Sequence, residues 1–154
     1  MARIVSIAFS PPTENPRPED HYHRVPAAAA MLVADLGIET DRKGRGGDRQ
    51  INIMSAETLA SLRDEGFNTA PGQMGEQIVI DGIDVNQLPA RARLRIGAAA
   101  VVEIVLPRTG CDRFERIQGK HKKLARGRMG VIARVVASGA IAVGDPVALQ
   151  SAAS

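Results

Sequence analysis

The chain has 154 residues, 44% of them hydrophobic and 24% charged, with a formal net charge of +3. This reads as a single domain, residues 1–154, with room for a real core, and it excludes a disordered or collagen-like chain. A membrane-spanning helix is excluded as well: the longest apolar stretch, Pro26 to Ala34, is about half of the roughly 18 residues required.

The N-terminus reaches Pro11-Pro12 too soon for a signal peptide, and the lone cysteine, Cys111, leaves no internal disulfide or multi-cysteine zinc site. A reducing, cytoplasmic setting is expected. The aromatics are only Phe9, Tyr22, Phe67 and Phe114. A core must therefore come from Ile, Val, Leu, Ala and Met, which suits β-structure, and base stacking on exposed rings is disfavoured.

Arg3 to Phe9 reads as a strand stopped by Pro11-Pro12, and residues 13–26 as a polar, proline-rich loop. Ala27 to Leu36 admits two readings. Its alanines favour helix, while Met31-Leu32-Val33 before Gly37 equally suits a buried strand. A charged, glycine-rich loop then leads to Gln50–Met54, a strand with Ile51 and Ile53 facing inward.

Ser55 is placed to cap a helix with Glu57 in its first turn, Leu59 and Leu62 on one face and Gly66 as the stop. Pro71-Gly72 marks a turn, followed by a strand over Gln77–Ile80 closed by Asp81-Gly82. Leu94–Ile96 and Ala100–Leu106 are strands around Gly97, and Asp112–Ile117 is one or two turns of helix. Val131–Ala137 and Ile141–Val143 are expected to form a hairpin about Ser138-Gly139, with Val147–Leu149 as the last strand. Short strands with turn signals about every 8–12 residues predict a mainly β, closed barrel with one or two peripheral helices.

Charge is unevenly spread. Between Arg108 and Arg128 eight basic residues face only Asp112 and Glu115, a net +6, while the rest of the chain is net −3. A second basic group, Arg42, Lys43, Arg45 and Arg49, lies among glycines. Such windows read either as solvated loops or as anion sites. Nucleotide motifs fail: Gly44-Arg45-Gly46 is followed by Arg49 where a third glycine belongs, and Gly119-Lys120 by His121 rather than Ser or Thr. His21 and His23 lack a third soft ligand nearby and read as loop histidines. Cys111 stands just past a strand end with Arg108 and Arg113 on either side. It is either a small buried residue or a thiolate favoured by those cations, able to carry a persulfide or ligate a soft metal.

These signals come in the order of a known family. Gly37-Ile38-Glu39-Thr40-Asp41-Arg42-Lys43, Gln50 to Ser55, Pro71 to Gln77, Gly82-Ile83-Asp84, Leu94 to Gly97, Pro107 to Cys111, Gly130 to Val135 and Gly139 to Asp145 together resemble the MOSC domain. That module ends molybdenum-cofactor sulfurases and also occurs as a free-standing protein. No single stretch is specific; the ordered set, from about residue 36 to 149, carries the resemblance. The chain departs from the family's pattern at Thr40-Asp41, where Gly-Asp is usual, at Lys43, where His is frequent, and at Glu76-Gln77, where Glu-Asn is usual.

The resemblance implies a β-barrel whose cysteine, here Cys111, either carries sulfur as a persulfide or ligates molybdenum in the molybdopterin cofactor. It implies cofactor binding by Asp41, Arg42, Lys43, Arg49, Glu76, Gln77, Arg108 and Arg113. Asp41 and Glu76 have structural readings beside that one: organising a loop, or pairing with an arginine. The arginines, with the Lys120–Arg128 group, suit the pterin's phosphate.

No pyridoxal phosphate is expected in this chain, so a separate cysteine desulfurase is the expected sulfur donor and molybdenum-cofactor enzymes or pathway proteins the expected partners. Two alternatives stand beside this reading. One is a molybdenum-dependent oxidoreductase reducing N-hydroxylated compounds with Cys111 as metal ligand. The other is a basic module binding anions or nucleic acid without catalysis, which the missing aromatics disfavour. No membrane partner is expected. Asp41, Glu76 and Arg108 are expected to gather round Cys111 at one barrel mouth.

Overall fold

The computed structural model describes residues 2–12, 18–41 and 46–150. Its first strands are β1 (Ala2–Phe9), β2 (Val25–Ala27), β3 (Ala29–Val33), β4 (Gly37–Ile38) and β5 (Ile51–Ser55). Helix α1 (Ala56–Asp64) leads to β6 (Ile78–Asp81), β7 (Arg93–Ile96) and β8 (Ala100–Pro107). Helix α2 (Asp112–Gln118) precedes β9 (Val131–Ala137), β10 (Gly139–Ala142) and β11 (Pro146–Gln150).

The main sheet runs β11-β7-β8-β9-β5-β6-β1-β2, and pairing of β11 with β1 through Ala2–Val147 and Arg3–Pro146 closes seven of these strands into a barrel. β5 and β6 pair in parallel, which requires a crossover, and α1 supplies it. The fold is thus the expected mainly β barrel with two helices outside.

Period-two alternation sends Ile51 and Ile53 of β5 into the barrel with Ile4, Ile78, Ile80, Ile104, Val131 and Val135. The opposite face of the wall is also covered. There Met54 and Val79 pack with Leu59 and Leu62 of α1, Phe67, Met74, Phe114 and Met129 in a second cluster. β5 is consequently buried along its whole length, on both faces.

One open reading is settled in favour of strand, and two others are corrected. Ala27–Leu36 is not helical: β2 pairs with β1 and β3 with β10 and β4, so long-range pairing overrides the alanines' helix propensity. Ser55 occupies the N-cap position of α1 without capping it; its hydroxyl donates to the Ile83 carbonyl (2.6 Å) and accepts from the Val85 N–H (2.9 Å). The expected hairpin after β9 is not formed, because β10 pairs with β3 instead. The Ala34 N–H donates to Ser138 Oγ (2.8 Å), and the turn presses on β8 at Gly139, where a Cβ would lie 2.6 Å from the Ala100 nitrogen. Both contacts carry the chain off β9 and onto β3.

Candidate functional site

Outside the barrel wall lies a pocket of about 160 Å³ lined by Arg24, Arg49, Gln50, Asn52, Gly75, Gln77 and Arg108, with Ile51 and Ile132. The strand positions explain the lining. Asn52 lies between inward-facing Ile51 and Ile53 and opposite Ile132 of β9, so it looks out of the barrel wall. Arg108 follows the last residue of β8, and its backbone N–H donates to the Gly130 carbonyl (3.0 Å), fixing where its side chain starts.

The Arg108 guanidinium donates through Nη1 to the Met74 carbonyl and through Nη2 to the Tyr22 hydroxyl (3.3 Å). Gly75 is the residue that permits this approach: a Cβ there would sit 2.4 Å from Arg108 Nη2 and 3.1 Å from Tyr22 Cζ. Tyr22 is almost wholly buried and faces three cations, with Arg113 Cζ 4.9 Å and Arg24 Cζ 5.8 Å from its ring centroid. Burial pushes its phenol above the ordinary value; Arg108 pulls it back, while Cys111 is near enough to add to the rise. Arg113 also donates to the backbone carbonyls of Pro18 (3.0 Å) and His21 (3.4 Å), pinning that segment over the site.

Cys111 is exposed, in extended backbone (φ −136°, ψ 175°) at the start of α2, and its side chain makes no capping hydrogen bond. The reading of Cys111 as a buried apolar residue is thereby overturned. Asp41 and Glu76 lie behind the pocket rather than in it. The Asp41 carboxylate, fully buried, accepts from the Ser10 N–H (3.1 Å) and Gln77 Nε2 (3.0 Å). Glu76, 1% exposed, accepts from the N–H groups of Gly72 (3.0 Å) and Met74 (3.1 Å) and so shapes the loop that receives Arg108. The Gln77 amide links Asp41 to β5, since its oxygen accepts from the Asn52 N–H (2.7 Å).

Burial lowers the Arg24 pKa from its ordinary value; Asp41 and Glu76 draw it back up, and Arg108 opposes them. Burial likewise raises the Glu76 carboxyl above its ordinary value, against the hydrogen bonds from Gly72 and Met74 that favour the charged form. With its folded pKa above the unfolded one, Glu76 binds more protons in the native state as pH climbs from about 4.5. Its stabilising contribution is full at acid pH and is lost as pH rises through the folded pKa. The stability difference between the native protein and Glu76→Gln, measured by urea unfolding from pH 4 to 7.5, should therefore shrink as pH increases. A difference that grew with pH would contradict the assignment.

Of the other residues singled out in the sequence, Arg42 and Lys43 lie outside the described residues. Arg49 and Gln77 line the pocket. Three of the Lys120–Arg128 group are engaged elsewhere: Arg128 pairs with Glu65, Lys122 Nζ lies 3.3 Å from Asp112 Oδ1, and Lys120 lies over the Phe67 ring. Arg24, Tyr22 and Asn52 went unrecognised as site residues. For Tyr22 and Arg24 the only signal was an aromatic two residues before an arginine in a polar loop.

The MOSC domain model matches residues 20–148 of this chain. The chain belongs to the MOSC family. No curated protein sequence matches it significantly. Among solved structures, YiiM from Geobacillus stearothermophilus superposes with a TM-score of 0.74 at 20% identity, covering 98% of this chain and 76% of that one. YiiM from Escherichia coli gives 0.71 at 20% identity, with coverages of 99% and 71%. The YuaD protein of Bacillus subtilis gives 0.71 at 18% identity, with coverages of 96% and 94%. These likenesses establish the shared barrel. No described helix is long and apolar enough to cross a membrane.

Proposed function

We propose that this MOSC protein handles the molybdenum cofactor, holding the cofactor's anionic end among Arg24, Arg49 and Arg108 and presenting Cys111 as metal ligand or sulfur carrier. The observation that carries the reading is the placement of the lone, exposed cysteine three residues beyond Arg108, which itself lines an arginine pocket. The donor set fits the group. Nε and Nη1 of Arg24 are buried without a hydrogen-bond partner in the protein, and guanidinium groups match phosphate geometry.

When bound, the cofactor supplies a redox-active metal for which a thiolate sulfur is a soft, well-matched ligand. Arg108, anchored on Met74 and Tyr22, holds one donor edge fixed at the pocket. In the sulfur-carrier role the Cys111 thiolate attacks the terminal sulfur of a persulfide on a separate cysteine desulfurase. The new S–S bond forms on Cys111 while the donor's cysteine departs as thiolate. A reducing cytoplasm keeps the acceptor thiol available. Intact-mass and peptide mass spectrometry of the protein from a cofactor-competent host should show one added sulfur on the Cys111 peptide, or molybdenum and pterin retained in stoichiometric amount. Protein carrying neither after incubation with a persulfide donor and with cofactor would overturn the reading.

A further inference from the structure

Gly75 and Gln77 line the arginine pocket, and Glu76 between them lines a different cavity, a groove of about 210 Å³ between α1 and β1. One wall is a single face of the helix. Ala56, Leu59, Ala60 and Arg63 stand at the i, i+3, i+4 and i+7 spacing that puts side chains on one side of a helix. The floor is Val79 of β6, which pairs with Met54 on one side and with Ser6 of β1 on the other.

The opposite wall depends on an irregularity in β1. Its register on β6 shifts between Ile4 and Ser6, so Val5 has no partner of its own in that pairing. Regular alternation would send Val5 and Ser6 to opposite faces; with the bulge both line the groove, and Val5 is left 45% exposed. Bulges recur where a side chain must be re-aimed.

The chemistry of this lining restricts the occupant. Val5, Leu59, Val79 and Pro71 offer apolar contact, and the small side chains of Ala56 and Ala60 keep the groove open. Arg63 is the cation of the lining, and its side chain has no ion pair or hydrogen bond with a described residue. The Glu76 carboxylate is already engaged by the N–H groups of Gly72 and Met74 and does not neutralise it. A guanidinium only donates, so the groove suits an anion with an apolar body. About 210 Å³ is room for roughly seven groups the size of a water or a methylene, which fits a short aliphatic acid and not a membrane lipid.

We infer that this groove is a second ligand site, binding a small aliphatic monocarboxylic acid with its carboxylate on Arg63 and its chain against Val5, Leu59 and Val79. The inference is independent of the reading given to the arginine pocket and to Cys111.

Calorimetric titration of the full chain with butanoate, hexanoate and octanoate tests it, with backbone amide NMR to map the octanoate. Affinity should rise along the series by up to about fourfold per methylene. Octanoate should shift the amide signals of Val5, Ala60 and Val79 more than those of Arg24, Arg49 and Arg108. Ala60→Leu fills the groove with a residue that suits a helix and should lower octanoate affinity about tenfold or more. Arg63→Gln should weaken octanoate about two- to fivefold, whereas 1-octanol, which lacks the charge, should bind both proteins equally. Should Ala60→Leu fail to fold, Val5→Ser at its exposed position replaces it and should also weaken octanoate. Affinity that does not rise with chain length, or that is unchanged in the groove variants, overturns the inference. Octanoate shifts centred on Arg24, Arg49 and Arg108 place the acid in the arginine pocket and overturn it equally. Self-association abolished by Ala60→Leu, with no octanoate bound, assigns the groove to a second copy of the chain instead.

Discussion

Cys111→Ser is expected to abolish persulfide loading and bring retained molybdenum to background, with the thermal midpoint shifted by no more than about 1–2 °C. The small structural effect follows from the geometry. Cys111 is exposed, its extended backbone suits any residue, and its side chain makes no hydrogen bond at the start of α2, where serine is a favoured N-cap. The large chemical effect follows from the atom exchanged. A serine oxygen is hard, remains protonated at neutral pH and cannot hold a sulfane sulfur, whereas thiolate sulfur is soft and nucleophilic. Peptide mass spectrometry after incubation with a persulfide donor, with metal analysis of the same preparation, reads both properties. A variant that still loads sulfur or still retains molybdenum would remove Cys111 from the centre of the site.

The barrel was legible because its strands carry period-two apolar patterns that need no knowledge of partners: Ile51 and Ile53 face the interior whichever strands flank β5. Helix α1 was legible through Leu59 and Leu62 on one face. What failed depends on contacts distant in sequence. Ser55 has the residue type and position of a cap, yet Ile83 and Val85 compete for its hydroxyl and win. Gly139 looks like half of a hairpin turn until the backbone of Ala100 comes beneath it.

Of the residues that the ordered motifs singled out, Gln77 and Arg108 line the pocket and Cys111 is exposed three residues beyond Arg108, whereas Asp41 and Glu76 do not line it. Asn52 stood within such a motif too, but alternation alone marks it as solvent-facing. Its burial comes from the tertiary fold, which brings the sequence-distant Arg24, Gly75, Gln77 and Arg108 around the same pocket. The two buried carboxylates show the same limit from the other side. Their chemical type suggested contact with a ligand, and the fold uses them to hold Ser10, Gln77 and the 72–74 loop in place.

Gly130→Ala is expected to cost about 3–5 kcal/mol of stability and to weaken anion binding together with it. Two effects coincide at this residue. Its φ of +78° lies in the left-handed region, and a Cβ would stand 2.1 Å from the Ile53 carbonyl oxygen and 2.8 Å from Met54 Cγ. The first obstacle is backbone of a strand packed on both faces, so relief requires moving β9 away from β5. Gly127→Ala separates the two effects, because Gly127 has the same φ of +78° but nothing within 4 Å of the added carbon. That variant should lose only the conformational part, about 1 kcal/mol. The link to the site is direct: the Gly130 carbonyl accepts the Arg108 N–H (3.0 Å), and its own N–H donates to Asn86 Oδ1 (3.0 Å). Displacing Gly130 displaces the root of the Arg108 side chain. Urea unfolding of both variants, with phosphate titration at a temperature where each is folded, measures the two consequences separately. Equal destabilisation by the two substitutions would show that the close approach to Ile53 carries no weight.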